Sequence, residues 1–414
     1  MSRISHVFRG AAVAGLIGIL ASCQVDHNLG PSQIGGSLFL HYVALGNSLT
    51  SGFQSGGIND STQQRSYAVL LARQFGTRFA YPSLQNPGCP PPLSNFATGA
   101  RVTPTGFPTS TGTSCYLRTS LSSTDILNNV AVPGATSLDP TSVLGSGPNP
   151  LTTFVLGGLT QAQRALVAKP TFATIWIGNN DVLGPALSGL PGGFPGVQSA
   201  ATTQAAFVTN YATMMSQLMG GAPALKGVLI GVVQVGNAPQ LFTAAALQNP
   251  AFLAALSQAS GKAVTAAANC ATAPGVSSLI NIQITSAIKA GQVGAQINCV
   301  KGTVPANPLD GDLYVLDATE QAAVSGIVTG YNTYIHAKAD SLGFAYYDPN
   351  GLLVQLVASG AILPVPNLAS ATAPFGTGIS LDGIHPSSST HILIANALID
   401  AINTKYGTTV AKIQ

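Results

Sequence analysis

Charge is what this chain has least of. Only 7% of its 414 residues are Asp, Glu, Lys or Arg, against about a quarter in an ordinary globular protein. Glutamate occurs once, at Glu320, so an acid/base pair built on glutamates is excluded. Two-carboxylate glycoside chemistry needs acids ~5–9.5 Å apart, and no pair of aspartates stands out for it. The formal net charge of +3 includes Arg3 and Arg9, which lie in a leader without acids; the rest of the chain carries about +1. There is no basic stripe, which argues against nucleic acid as a partner. Cys89, Cys115, Cys270 and Cys299 show no CxxC spacing and have no histidine close by, which argues against a zinc site. No metal or cofactor is implied, and no internal repeat is apparent.

What the chain does have is apolar and small polar residues. Hydrophobic residues make up 46%, enough for a substantial core and too much for a disordered chain. With so few charges, the surface is expected to be rich in hydroxyls and amides.

Residues 1–22 read as a secretory signal. Arg3 and Arg9 give a positive start, and Ala11 to Ala21 form an apolar stretch too short to cross a ~30 Å hydrocarbon core as a helix. Leu20-Ala21-Ser22-Cys23 resembles a bacterial lipobox. That resemblance implies acylation of Cys23, and Gln24 at the next position implies delivery to the outer membrane. Residues 23–36 would then be the lipidated N-terminus and tether, because Asn28 to Gly36 holds glycine breaks and a proline. Anchoring would grow by ~0.8 kcal/mol per buried CH₂. Cys89, Cys115, Cys270 and Cys299 remain, and in an exported chain they suggest two disulfides. Three pairings exist. Cys89–Cys115 and Cys270–Cys299 are expected, because each pair brackets a loop-like segment.

Along the chain, apolar runs alternate with helical patterns. Strands are expected at Phe39–Leu45, Ile126–Val132, Thr171–Ile177, Gly227–Val235 and Phe344–Tyr347. Helices are expected at Gln64–Phe75, Gln161–Ala168, Ala205–Met219, Ala318–Leu342 and Ser388–Lys405. Arg78 to Ser123, Asp139–Pro150 and Gly184–Ser199 read as loops. The alternation argues for an α/β domain over 37–414 with a central parallel sheet covered on both faces. The stretch from about 236 to 317 breaks the rhythm and reads as an insertion, either a lid or ordinary scaffold.

Four short motifs fall at strand ends or in loops. They are Gly46-Asn47-Ser48-Leu49, Asn129 to Thr136, Gly178-Asn179-Asn180-Asp181 and Asp382-Gly383-Ile384-His385-Pro386. A serine at a strand-to-helix corner presents its hydroxyl at the carboxyl edge of a sheet, where α/β folds place their sites. Ser48 needs a base to take its proton, and His385 can do so near neutral pH. Asp382, three residues earlier, can accept the other ring N–H and stabilise the imidazolium. His391 is the rival base, but Ser388 rather than an acid precedes it by three, so a structural role is expected. His41 is expected to be packed or paired, and Asp181 and Asp348 to hold local backbone.

In order, the four motifs resemble the blocks of the SGNH or GDSL hydrolases, over about Leu38 to Tyr406. The resemblance implies a three-layer α/β/α flavodoxin-like fold and cleavage of carboxylic esters, including lipid, aryl and acetyl-sugar esters. It also implies an oxyanion hole made by the Ser48 N–H, the Gly134 N–H and the Asn180 side chain. One departure is Asn47, where the family usually has Asp; activity is expected to survive, because the triad acid comes from Asp382. The expectation is therefore a lipid-anchored exported serine esterase, monomeric and attached to a membrane through its N-terminus. A glycan O-acyltransferase would use the same residues, and a non-catalytic binding lipoprotein on a degenerate hydrolase scaffold is the reading from another class.

Overall fold

The computed structural model describes residues 36–103, 126–142, 151–187, 200–301 and 312–414. The leader, Cys23, the tether and Cys115 lie outside the described residues, and all described residues belong to one folded unit, Gln33–Gln414.

Four strands make the main sheet: β1 (Tyr42–Gly46), β2 (Phe172–Trp176), β3 (Lys226–Ile230) and β4 (Ala345–Tyr347), side by side in that order. All pairs are parallel, with Tyr42 opposite Phe172, Phe172 opposite Lys226 and Val228 opposite Ala345. The strands are short apolar runs buried on both faces, as a covered parallel sheet requires. Side chains alternate between two cores. Val43, Leu45, Ala173, Ile175 and Leu229 point into one core. Tyr42, Ala44, Phe172, Trp176, Val228 and Ile230 point into the other.

Each core is closed by helices, which gives three layers. On the first face pack α3 (Gln161–Val167), α5 (Gln204–Gly221) and α6 (Ala318–Leu342), through residues such as Ala165, Phe207, Met214, Val328 and Tyr331. On the second pack α2 (Tyr67–Phe75) and α8 (Ser388–Tyr406), through Tyr67, Leu71, Phe75, Ile394 and Leu398. Helix α6 spans the expected residues, and its start explains the lone glutamate. Asp317 caps the backbone of Glu320 while the Glu320 carboxylate accepts from the Asp317 N–H and from Lys301. That is a capping box.

Several boundaries differ from expectation. The predicted strand over Ile126–Val132 is an extended segment that touches β1 by a single parallel bridge, Ala44 to Asn129. It donates Val130 N–H to Ala44 O and Val132 N–H to Gly46 O. Its asparagines spend their amides on other backbone, Asn128 Nδ2 on Tyr42 O and Asn129 Nδ2 on Thr50 O. Such side-chain bonds compete with a regular ladder. The run expected to start β1 at Phe39 opens as a 3-10 turn, Gly36–Phe39. The strand expected over Gly227–Val235 stops at Ile230. Part of the loop expected over Gly184–Ser199 is the end of a helix, α4 (Asn180–Leu187), with Pro185 inside it. A helix not expected from the sequence, α7 (Asn350–Ala358), follows β4.

The inserted stretch has its own structure. Leu241–Thr243, Leu279–Asn281 and Val315–Leu316 pair antiparallel, and Thr265–Ala266 pairs with Gln296–Ile297. Cys270 and Cys299 are disulfide-bonded, as expected. Cys89 is also disulfide-bonded, while Cys115, its expected partner, lies outside the described residues. The insertion shares one apolar core with the segment after β4: Phe242, Leu256 and Ile280 cluster with Leu356, Ile362 and Phe375.

Candidate active site

Because the sheet is parallel, its carboxyl ends lie along one edge. The segments that follow β1, β2 and β3 all leave there. After β1 the chain turns sharply at Gly46, where φ is +156°. A Cβ at this position would stand 2.6 Å from the Trp176 carbonyl oxygen and 2.4 Å from Thr50 Oγ1, so only glycine fits. Asn47 then caps the one-turn helix α1 (Ser48–Ser51), accepting the Leu49 N–H on Oδ1. Asn47 is fully buried and its Nδ2 finds no partner among the described residues. A carboxylate in that place would have to carry a buried charge, which is costly without a partner. Ser48 is therefore the first residue of α1, with its hydroxyl at the corner.

The motif Asp382 to Pro386 reaches this corner from the far end of the chain. His385 Nε2 lies 2.9 Å from Ser48 Oγ, and His385 Nδ1 lies 2.8 Å from Asp382 Oδ2. The network assigns the tautomer: an ionised Asp382 accepts, so Nδ1–H donates and Nε2 is left to accept from the serine hydroxyl. A short loop brings acid and base together. Ser380 N–H donates to His385 O, and Ile379 bridges Pro386.

Asp382 is held on every side. Its Oδ1 accepts from Ile384 N–H, His385 N–H and Ser380 Oγ, and its Oδ2 also accepts the Gly56 N–H at 2.6 Å. Burial opposes ionisation, yet the positive charge and the hydrogen bonds of His385 outweigh it and lower the carboxyl to about pKa 2. Sequence reasoning missed Gly56, Ser55 and Ser380. Ser55 N–H donates to Ser380 Oγ and Leu381 N–H to Ser55 Oγ, so the loop after α1 clamps the loop that carries the acid. No local pattern in the sequence ties positions separated by more than 300 residues. Phe53 lies against the His385 ring, with centroids 4.9 Å apart.

The remaining expected residues sit nearby in a second linked group. Asn180 lines the same cavity as Ser48 and His385. Its Nδ2 donates to Ala135 O at 2.9 Å, which leaves one further N–H on that amide. Gly134 is exposed, at φ +79°, a conformation that costs glycine nothing. Asp181 ties the two loops together by accepting from both the Ser137 N–H and the Ser137 hydroxyl. Burial raises its pKa. Asn179 accepts the Val233 N–H on Oδ1 and fastens the loop after β2 to the segment after β3.

The rival histidines and the second strand-end acid lie in structural positions. His391 is fully buried, its Nδ1 accepts the Tyr67 N–H, and burial pulls its pKa down to about 3, so it stays neutral. His41 Nδ1 meets Lys169 O. Asp348 accepts from the Asn350 N–H and side-chain amide at the start of α7.

Ser48 opens onto a cavity of about 810 Å³, counting the open solvent at its mouth. Its walls are largely apolar: Leu49, Leu183, Val235, Leu352, Leu356, Ile379 and Ile394 among others. Among the described residues no Asp, Glu, Lys or Arg lines it. Of the described residues of the inserted stretch, only Asn237, Ala238 and Pro239 reach it. The described residues hold no cluster of His, Cys, Asp and Glu that could bind a metal.

A serine, a histidine and an aspartate in hydrogen-bonded series at the carboxyl edge of a three-layer α/β/α sheet define a hydrolase of the serine type. The chain matches the family of GDSL-like lipases and acylhydrolases over residues 42–398, and it belongs to that family. Solved structures to which the chain is similar include an extracellular lipase from Streptomyces rimosus, at 14% identity over 88% of this chain and 98% of that one, TM-score 0.33. A phospholipase A1 from Streptomyces albidoflavus aligns at 17% identity over 88% and 98%, TM-score 0.30. A family two carbohydrate esterase from Clostridium thermocellum aligns at 13% identity over 92% and 66%, TM-score 0.35. A comparison with curated proteins gives no match.

Proposed function

We propose that this chain is an exported, lipid-anchored serine esterase that works through an acyl-Ser48 intermediate. The observation that carries the reading is the continuous chain of hydrogen bonds from Asp382 through His385 to Ser48 Oγ. Ser48 Oγ attacks the ester carbonyl carbon, and its proton passes to His385 Nε2. The oxyanion is met by the Ser48 and Gly134 N–H groups and the Asn180 amide. The C–O bond to the alcohol then breaks, and His385 returns the proton to the leaving oxygen. Water repeats the sequence on the acyl-enzyme, freeing the acid and restoring Ser48. Asp382 stays ionised throughout and stabilises the imidazolium, in keeping with its lowered pKa.

The apolar cavity favours esters with an apolar acyl part over acetylated sugars, whose hydroxyls would need polar partners on its walls. Anchoring rests on the sequence ending in Cys23, and among the described residues no helix is long and apolar enough to cross a membrane. We assign the protein to the outer membrane because Gln24, and not Asp, follows Cys23, and take it to act as a monomer.

Two measurements test the reading. Mixing enzyme with excess p-nitrophenyl ester should give a burst of one p-nitrophenol per enzyme, with the acyl mass on the peptide holding Ser48; a burst on any other residue sinks the mechanism. Cys23→Ser should lose the lipid mass and move the protein to the soluble fraction, and an unchanged membrane fraction would reject the anchor.

Asn180→Ala gives a finer check on the oxyanion donors. It should lower kcat by about 10²–10³. Because the lost bond to Ala135 O is a single neutral one, stability should fall by only ~1 kcal/mol. Normal turnover with a lowered Tm would remove Asn180 from the oxyanion hole.

A further inference from the structure

The cavity beside Ser48 has a neighbour. A second cavity, of about 930 Å³ with its open solvent, lies on the other side of a wall made by Asn237, Pro239, Leu353 and Ile362, which line both. Helix α7 carries the wall. Leu352 and Leu356, one turn apart, face the cavity of Ser48, while Val354, Val357 and Ala358 face the second one. Leu353 lies between these two stripes and belongs to both. The second cavity also reaches the surface, since Val354 is 62% exposed and Val357 38% exposed at its rim.

We propose that the ester's acyl chain occupies the apolar cavity beside Ser48, and that the wall of Leu353, Ile362, Asn237 and Pro239 sets the longest chain accepted. This rests on the acyl-Ser48 reading. The acyl group remains bonded to Ser48 Oγ until water arrives, so a walled apolar recess can hold it through deacylation. The alcohol must depart first, and a blind recess would retain an apolar alcohol rather than release it. Each methylene that enters should raise kcat/KM about fourfold, as expected for burial of a CH₂ group, until the chain meets the wall. Beyond that length the rate should fall, because a close-packed wall yields only at the cost of strain. Opening the wall joins the two cavities and gives the longer chain an apolar path over α7.

The test is a series of p-nitrophenyl esters from acetyl through butyryl and octanoyl to palmitoyl, with the leaving group held constant. Wild type should show a maximum within the series. Leu353→Ala should raise the palmitoyl-to-octanoyl ratio of kcat/KM about tenfold, within the range typical for hydrophobic pocket changes. Leu353→Trp fills space rather than removing it, and should lower the octanoyl-to-acetyl ratio by a similar factor. Both variants should still be labelled to completion at saturation by a fluorophosphonate bearing only short alkyl groups, which shows that Ser48 is intact. If both are labelled and neither ratio moves, the wall does not measure the chain. If chain-length dependence appears instead in a parallel series of alkyl acetates, the cavity holds the alcohol and the proposal is overturned. If wild type is not labelled at all, the acyl-Ser48 reading itself has failed, and the proposal fails with it.

Discussion

Ser48→Ala should abolish ester hydrolysis, by about 10⁶ in kcat, and should leave the fold in place. The rate loss is of the size seen when the nucleophile of a serine triad is removed. Ser48 Oγ has one hydrogen bond, to His385 Nε2, and its backbone roles as the first residue of α1 do not need the hydroxyl. Stability should therefore change by no more than ~1 kcal/mol. Fluorophosphonate labelling should vanish with activity. The double variant Ser48→Ala, His385→Ala should be no slower than the single one, because residues that act as a unit lose their effect together. Turnover or labelling that survives in Ser48→Ala would falsify the assignment of the nucleophile.

Asp382→Asn should lower kcat by about 10⁴ while Ser48 stays in position. An asparagine can keep the three donors on Oδ1, namely Ile384 N–H, His385 N–H and Ser380 Oγ. On the other side its Nδ2 would face the Gly56 N–H, donor to donor, and would present a hydrogen to His385 Nδ1. The ring then takes the other tautomer, with Nε2–H towards Ser48 Oγ, and can no longer accept the proton. That wrong tautomer accounts for a loss of this size. The orphaned Gly56 N–H adds a stability cost of ~1–3 kcal/mol.

The same carboxyl shapes stability against pH. Its pKa in the folded chain is depressed to about 2, below the ~3.9 of an unfolded aspartate. The unfolded chain therefore binds the proton first as pH drops. The stabilisation from Asp382 is fully present above about pH 4 and is lost as pH falls towards 2. Acid unfolding of wild type should be steeper across this window than that of Asp382→Asn. Equal slopes would show that the aspartate is not held ionised by its surroundings.

Much of this architecture was readable before any coordinates. Short apolar runs bounded by turn residues read as central parallel strands; β2 and β4 fall within the expected segments, and β1 and β3 each reach one residue beyond theirs. Helix α6 was read to the residue, because Asp317 and Gly343 cap its ends. The disulfide Cys270–Cys299 was read from two cysteines bracketing a loop. Helix α7 was missed: Leu352, Leu353, Leu356 and Val357 show an almost continuous apolar run with no clear periodicity. The strand expected over Ile126–Val132 forms only one bridge to β1, because Asn128 Nδ2 takes the Tyr42 carbonyl oxygen and the Asn128 and Asn129 N–H groups turn to Ala80 O.

By itself the sequence singled out Ser48, His385, Asp382 and Asn180 as candidates, because each stands in a short motif, and the structure joins the first three by hydrogen bonds. It also marked the strand-to-helix corner, where an apolar run ends at Gly46; that only glycine fits there is set by Trp176 O from the neighbouring strand. Only the tertiary structure decided how those residues are held and what they face. The clamp of Ser55 and Gly56 on Ser380 and Asp382, the link from Asp181 to Ser137, and the wall that sets Asn237 and Pro239 beside Leu353 and Ile362 all join residues far apart in the chain. Such contacts form when sheet edges and loops pack, and a linear pattern of residue types carries no record of them.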